Sequence, residues 1–330
     1  MPFAVTAYGV PHSMGILATA DGVKPEKPTT IFDLMDWAKA QGLVGVDIPL
    51  PPAYSAEEIR EALQERELRL VAECAALLSQ SAEENTAAIH KAHTAGAKVV
   101  RFCLSTILEG RRYKLPDGWI AHRDALAIRM REILPVAEDL GVSLAFENHQ
   151  DADTSDFLWL YEHSGKSKAF GVCLDAGNPL AVGEDPVQAA KDLAPLIRHT
   201  HLKDYTMHFA PEGYRLVRCI AGTGVVDFPE ILRIVRGNGF ADLLPGIEIA
   251  AQPTRTIPVL DPAWWAEFPE RPATSLLGPL GILWKKGIPE ITPYSSAWER
   301  GENSATVQAE EWLVLEQSAA YFRALESAIG

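Results

Sequence analysis

Cysteine is scarce in this chain. Cys74, Cys103, Cys173 and Cys219 are scattered, form no C-x-x-C pair, and three of them sit in apolar runs, where a cysteine acts as a small core residue. They read as reduced thiols of a cytoplasmic protein rather than as a disulfide framework. Positive charge is short as well: 30 Lys and Arg stand against 44 Asp and Glu, a formal charge of −14 and a pI near 5.1. A protein that holds nucleic acid by neutralising phosphates is not built this way. No apolar run reaches about 18 residues, and the amino terminus lacks a charged segment followed by an apolar one, so neither a membrane span nor a secretory leader is expected. There is no low-complexity tract, and the only repeat is an alternation of strand and helix. The composition, 47% hydrophobic and 22% charged, is that of a globular protein. Its 330 residues allow a large core without forcing two domains.

The alternation defines the expected architecture. Short apolar or β-branched runs bounded by turn residues read as buried parallel strands at 3–10, 45–50, 68–74, 98–104, 142–146, 169–174, 197–202 and 243–249. Helical stretches lie between them at 31–41, from Ser55 to 67, and at 80–95, 122–140, 154–163, 186–193 and 228–236. Thr30 offers one N-cap, and Ser55 with Glu58 a capping box. Eight strand-then-helix units without a sustained hairpin signature predict an α/β fold, a (β/α)8 TIM barrel over residues 1–250. Residues 251–330 form a C-terminal extension: a Pro- and Trp-rich insertion, read as a lid or subunit contact, and then a closing amphipathic helix at about 305–328. Trp264, Trp265 and Trp284 in that insertion suit either sugar stacking or a subunit interface, and a homo-oligomer is expected.

Four consecutive strand ends carry metal-compatible side chains: Glu147 in LAFEN, Asp175 in GVCLDAGNP, His201 in IRHTHLKD and Glu248 in LLPGIEIA. A barrel projects such residues from the carboxyl ends of its strands into one bowl. No protein cation accompanies three of these ends, and crowded carboxylates repel, so a bound divalent ion is the natural reason to keep them. Three carboxylates and one imidazole suit Mn²⁺, with Mg²⁺ or Co²⁺ as alternatives and Zn²⁺ less favoured. Lys203, two residues beyond His201, points to the same side and could stabilise an oxyanion. His149 is a candidate substrate contact, as are His12, Asp47, Glu73 and Arg101 near the ends of the first four strands. Arg215 and Arg218 in the loop after strand seven could meet an acidic group.

The segments FENH, CLDAGNP, HTHLKD, AGTGVVDF and GIEIA, in this order, resemble the xylose-isomerase-like TIM barrels, the superfamily of sugar isomerases, epimerases and endonuclease-IV-like enzymes. The resemblance is strongest over 142–250. It implies one divalent metal on Glu147, Asp175, His201 and Glu248, with Glu147 and Glu248 also shuttling protons on opposite faces of the substrate. Members often carry a histidine three residues after the strand-six aspartate; here Asn178 takes that position and is a further candidate substrate contact. The repair enzymes need an Asp-x-His after strand seven, whereas Asp204 is followed by Tyr205 and Thr206, which argues against a multi-zinc nuclease. The expected function is abstraction of a proton α to a carbonyl of a small sugar or sugar acid, in an isomerase or epimerase. The alternative is a metal-dependent lyase, decarboxylating or β-eliminating, on a 3-oxo sugar or sugar acid. An endonuclease-like phosphodiesterase and a non-catalytic barrel subunit rank below these.

Overall fold

The computed structural model describes residues 2–249, 253–268, 271–289 and 296–329. Numbered along the chain, the strands are β1 (Ala4–Thr6), β2 (Gly45–Pro49), β3 (Arg69–Glu73), β4 (Val99–Cys103), β5 (Ser143–Glu147), β6 (Phe170–Asp175), β7 (Ile197–Leu202), β8 (Asp204–Ala210), β9 (Gly213–Cys219), β10 (Gly246–Ile247) and β11 (Arg255–Ile257). Strands β1 to β7 and β10 close a parallel barrel in which β10 lies between β7 and β1. The helices are α1 (Ile31–Ala40), α2 (Ala56–Arg66), α3 (Ala82–Thr94), α4 (Gly118–Leu140), α5 (Thr154–His163), α6 (Pro186–Leu193), α7 (Phe228–Gly237), α8 (Pro262–Trp265), α9 (Leu277–Lys286) and α10 (Ser304–Ile329). Side-chain caps start them where the sequence places capping residues. Thr30, Ser55, Ser81 and Asp153 each close a capping box with the acid three residues on. None of the helices, among the described residues, is long and apolar enough to cross a membrane.

Strand alternation builds both the core and the site. Outward-facing Val46, Ile48, Leu70, Val100, Phe102, Leu144, Phe146, Val172 and Leu174 pack beneath the helices. Inward-facing Ala4, Val71, Val99, Ala145, Cys173 and Leu244 fill the barrel with a small apolar plug. Two residues further along the same strands come Thr6, Glu73, Arg101, Glu147 and Asp175. The polar floor of the site therefore rests directly on the plug. Register sets its level: Glu147 lies opposite Cys173, Asp175 opposite His201, and His201 opposite Gly246, with Glu248 two residues higher.

Three expectations need correction. Strand one ends at Thr6, because residues 7–9 turn into a short 3-10 helix that brings Gly9 against Leu315 of α10. Strand eight shrinks to Gly246–Ile247, since Pro245 has no N–H to give; its carbonyl instead accepts from Ala4 N at 2.8 Å. A sustained hairpin does exist: β8 and β9 pair antiparallel around Pro211–Gly213, and β11 pairs on the far side of β9. Arg215 and Arg218 accordingly lie on a strand rather than in a loop. The hairpin base is fixed by Asp204, whose carboxylate accepts N–H groups from Tyr205, Gly222, Gly224 and Val226 at 2.9–3.1 Å. Any Cβ at Gly224 would come within 2.3 Å of Asp204 Oδ1, which explains the glycine of the AGTG turn.

Helix α10 packs as the last barrel helix. Its Phe322 packs tilted against Phe3 and edge-on against Phe228, and Arg323 donates to the carbonyl of Gln41. Glu311 is fully buried and accepts from His12 N, Ser13 N and Ser13 Oγ, each at 2.9 Å. Burial pushes its carboxyl up to about 7 despite these donors. A folded-state value raised above the ordinary 4.5 means that the folded chain binds the proton more tightly. The stability linked to Glu311 is thus complete below about pH 4.5 and is lost as the pH climbs to about 7, by at most about 3 kcal/mol. Urea midpoints at pH 5 and pH 7.5 test this. The drop between the two should be smaller by about 2–3 kcal/mol in Glu311→Gln than in the parent.

Candidate metal centre and cavity

Glu147, Asp175, His201 and Glu248 converge at the carboxyl end of the barrel, each offering one ligand atom with all four atoms within 4.8 Å of one another. All are buried. Asp175 Oδ1 accepts from Gly177 N and Asn178 N, which leaves Oδ2 turned toward Lys203 Nζ at 2.7 Å. Lys203 also meets Glu248 Oε1 at 2.5 Å. Arg101 reaches across from β4 and touches Glu147 at 2.7 Å, Asp47 at 3.2 Å and Glu73 at 3.3 Å. No Lys or Arg lies in the β5, β6 or β10 ends themselves, yet β4 and the residue after β7 bring two cations to the carboxylate cluster, so a bound ion is not its sole source of counter-charge.

His201 shows what else the cluster suits. Its Nε2 lies 2.9 Å from Asp47 Oδ2, an oxygen that His199 Nε2 and Arg101 Nε also approach. That bond takes the proton on Nε2 and leaves the Nδ1 lone pair facing Glu248 Oε2 at 2.9 Å and Glu147 Oε1 at 3.5 Å. Lone pairs at this separation need a positive charge between them, either a proton or a metal ion. The electrostatics agree. Burial opposes ionisation of Glu147, but His201 and Arg101 outweigh it and hold the carboxyl well below the usual range. Burial likewise opposes charge on His201, yet the surrounding acids hold its imidazole well above the ordinary value. The oxygen-rich donor set and the Asp47-anchored imidazole fit a hard divalent cation.

A cavity of about 430 Å³ opens above these residues. Glu73, Arg101, Glu147, His149, Lys203, Arg218 and Glu248 all line it. His12 does not belong with them: its ring bonds the Leu17 carbonyl and Ser304 Oγ beneath α10. Asn178 is buried behind Asp175 and is likewise not among the described lining residues. Trp264 is a core residue whose Nε1 donates to the Glu109 carbonyl, while Trp284 is 83% exposed on α9. Sequence reading missed Tyr8, hidden in what looked like strand, and Arg255, carried in from β11. Only the alternation in YTMHF and YRLVR around Pro-Glu-Gly signalled the hairpin that receives β11.

The fold is a closed (β/α)8 barrel whose strand ends gather three carboxylates and an imidazole. The chain belongs to the xylose isomerase-like TIM barrel family, whose model matches residues 35–267. It is 31% identical over 119 residues to a 3-oxo-isoapionate decarboxylase of Pectobacterium atrosepticum, a match covering 35% of this chain and 42% of that one. The chain spans less than half the length of the curated relatives it matches. Among solved structures, a xylose isomerase-like TIM barrel protein of Mycobacterium smegmatis in complex with magnesium superposes with a TM-score of 0.57 at 16% identity, covering 97% of each chain. D-psicose 3-epimerase of Clostridium cellulolyticum H10 with D-tagatose gives 0.61 at 13% identity, covering 96% of this chain and 98% of that one.

Proposed function

We propose that this protein is a divalent-metal-dependent enzyme that removes a proton α to a carbonyl of a sugar or keto-sugar derivative, and that it works as an isomerase or epimerase. The convergence of Glu147, Asp175, His201 and Glu248 carries this reading. Those four side chains would hold the ion, with Mn²⁺ preferred and Mg²⁺ or Co²⁺ next. A divalent cation held there supplies Lewis acidity toward the substrate's carbonyl. The protein does the rest. Glu147 and Glu248, kept ionised by Arg101, His201 and Lys203, are the proton acceptors and donors. Lys203 places an ammonium beside Glu248, where it can balance negative charge developing on substrate oxygen.

A second reading, a lyase, has its own support in the similarity to a 3-oxo acid decarboxylase. Loss of CO₂ from a 3-oxo acid breaks a C–C bond and leaves its electron pair in an enolate, and protonating that enolate uses the same two glutamates. Metal analysis of the purified protein, followed by NMR of the metal-loaded enzyme with ketoses and 3-keto sugar acids in D₂O, tests both readings. About one metal per chain, with deuterium entering α to the carbonyl, is the expected result. Epimer or isomer products favour the first reading and release of CO₂ the second. Absence of both metal and exchange removes them together.

A further inference from the structure

The cavity is charged unevenly. Its lining acids, Glu73, Glu147 and Glu248, are each engaged by Arg101 or Lys203. Two more guanidinium groups, Arg218 and Arg255, line the same cavity. They arrive on one face of the small antiparallel sheet: Arg255 of β11 lies opposite Leu216 of β9, and Arg218 is two residues further along β9, hence a diagonal neighbour of Arg255. Arg215, at an odd offset, belongs to the opposite face.

Like charges brought together at a partly buried mouth repel unless an anion joins them. The acids nearest Arg255 are committed elsewhere. Glu109 pairs with Arg111 at 2.7 Å and accepts from Thr256 N, and Glu299 accepts from Thr254 N and Ser296 N. The buried Nε of Arg255 has no hydrogen-bond partner. Burial, followed by the charge of Arg218, lowers the pKa of Arg255, the sign expected of a guanidinium short of counter-charge.

We infer that Arg218 and Arg255 form an anion subsite, so that the substrate of the metal centre carries an oxyanion, a carboxylate or a phosphate, at the end remote from its reacting carbonyl. This rests on the enolising reading of the same cavity and narrows its substrates to acidic sugars. The planar guanidinium fork matches either oxyanion, and a pair of forks can hold one in two directions. Carbonyl and α-carbon then face Glu147 and Glu248, while the charged end meets the sheet.

The test is calorimetric titration of the metal-loaded full chain and of Arg255→Gln and Arg255→Lys. D-fructose, 5-keto-D-gluconate, D-fructose 1-phosphate, malonate and inorganic phosphate serve as probes. The parent should bind at least one charged sugar about 10- to 100-fold more tightly than fructose. That preference should vanish in Arg255→Gln and return in part in Arg255→Lys, with metal content and circular dichroism unchanged. Preference for the keto acid identifies a carboxylate subsite, and preference for the phosphate ester a phosphoryl one. The inference is overturned if no charged probe, malonate and phosphate included, binds more tightly to the parent than to Arg255→Gln. Deuterium exchange into the keto sugar probes by the metal-loaded parent, read in parallel, reports on the enolising chemistry, so failure of the subsite and failure of the enzyme reading give different results.

Discussion

Glu248→Gln and Glu147→Gln each lower turnover of an α-proton-exchanging substrate by at least about 10³-fold. Losing one general base or acid is worth about 10² to 10⁴, and in this site each residue is a metal-ligand candidate as well. The fold should survive, because an amide fills the same volume and the surrounding plug of Ala145, Cys173 and Leu244 is untouched. The two variants separate the readings. If the glutamates serve opposite faces of one carbon, a variant that keeps its metal still exchanges the hydrogen of one epimer with solvent deuterium yet interconverts nothing. A lyase instead loses carbon dioxide release and product protonation in parallel. NMR of single epimers in D₂O, with circular dichroism as the control for folding, supplies the measurement. Full activity in either variant would refute the assignment.

The second large effect lies away from the chemistry. Arg112 is buried between the rings of Trp119 and Phe268, 4.2 and 4.0 Å from their centroids, and it bonds the Asp151 carbonyl, the Glu267 carbonyl and the Asp156 carboxylate. One side chain thus ties the loop after β4 to the start of α5 and to the segment after α8. Arg112→Met leaves Asp156 with the indole N–H of Trp119, the backbone N–H of Asp153 and the more distant Arg123 as its donors. Breaking a buried ion pair by removing one partner costs about 3–5 kcal/mol. A 330-residue chain has a melting entropy of about 0.7 kcal/mol/K, so the midpoint should fall by roughly 4–7 °C. Differential scanning calorimetry reads it directly. A shift below about 1 °C would show that Arg112 is not the tie described here.

How much of this was legible beforehand depends on distance along the chain. Their place at the carboxyl ends of short apolar runs put Glu147, Asp175 and His201 at the mouth of the barrel, since each strand carries its own apolar run and its own turn residues. The capping boxes were readable for the same reason: Ser55 and Glu58 sit three residues apart. Arg101 was legible as a residue near a strand end but not as the partner of Glu147, because that contact depends on how β4 and β5 are registered. Arg255 was invisible as a cavity residue, because only the pairing of β11 with β9 carries it there. His12 looked like a substrate residue on a Gly- and Pro-rich loop. What it meets is Ser304 and, through its backbone, Glu311, neither of which any local pattern could announce.

That last contact also sets an order of events during synthesis. His12 and Glu311 stand 299 residues apart. A ribosome adding about 5–20 residues per second leaves the loop after β1 waiting roughly 15–60 seconds for its partner. Throughout that interval Phe3 and Phe228 lack the Phe322 ring that packs on them in the finished barrel, so the seam between the first and last barrel units stays open until Phe322 has been made. Until then the apolar faces on both sides of that seam are open to holdase chaperones and proteases, and closing the seam is the step that ends the exposure.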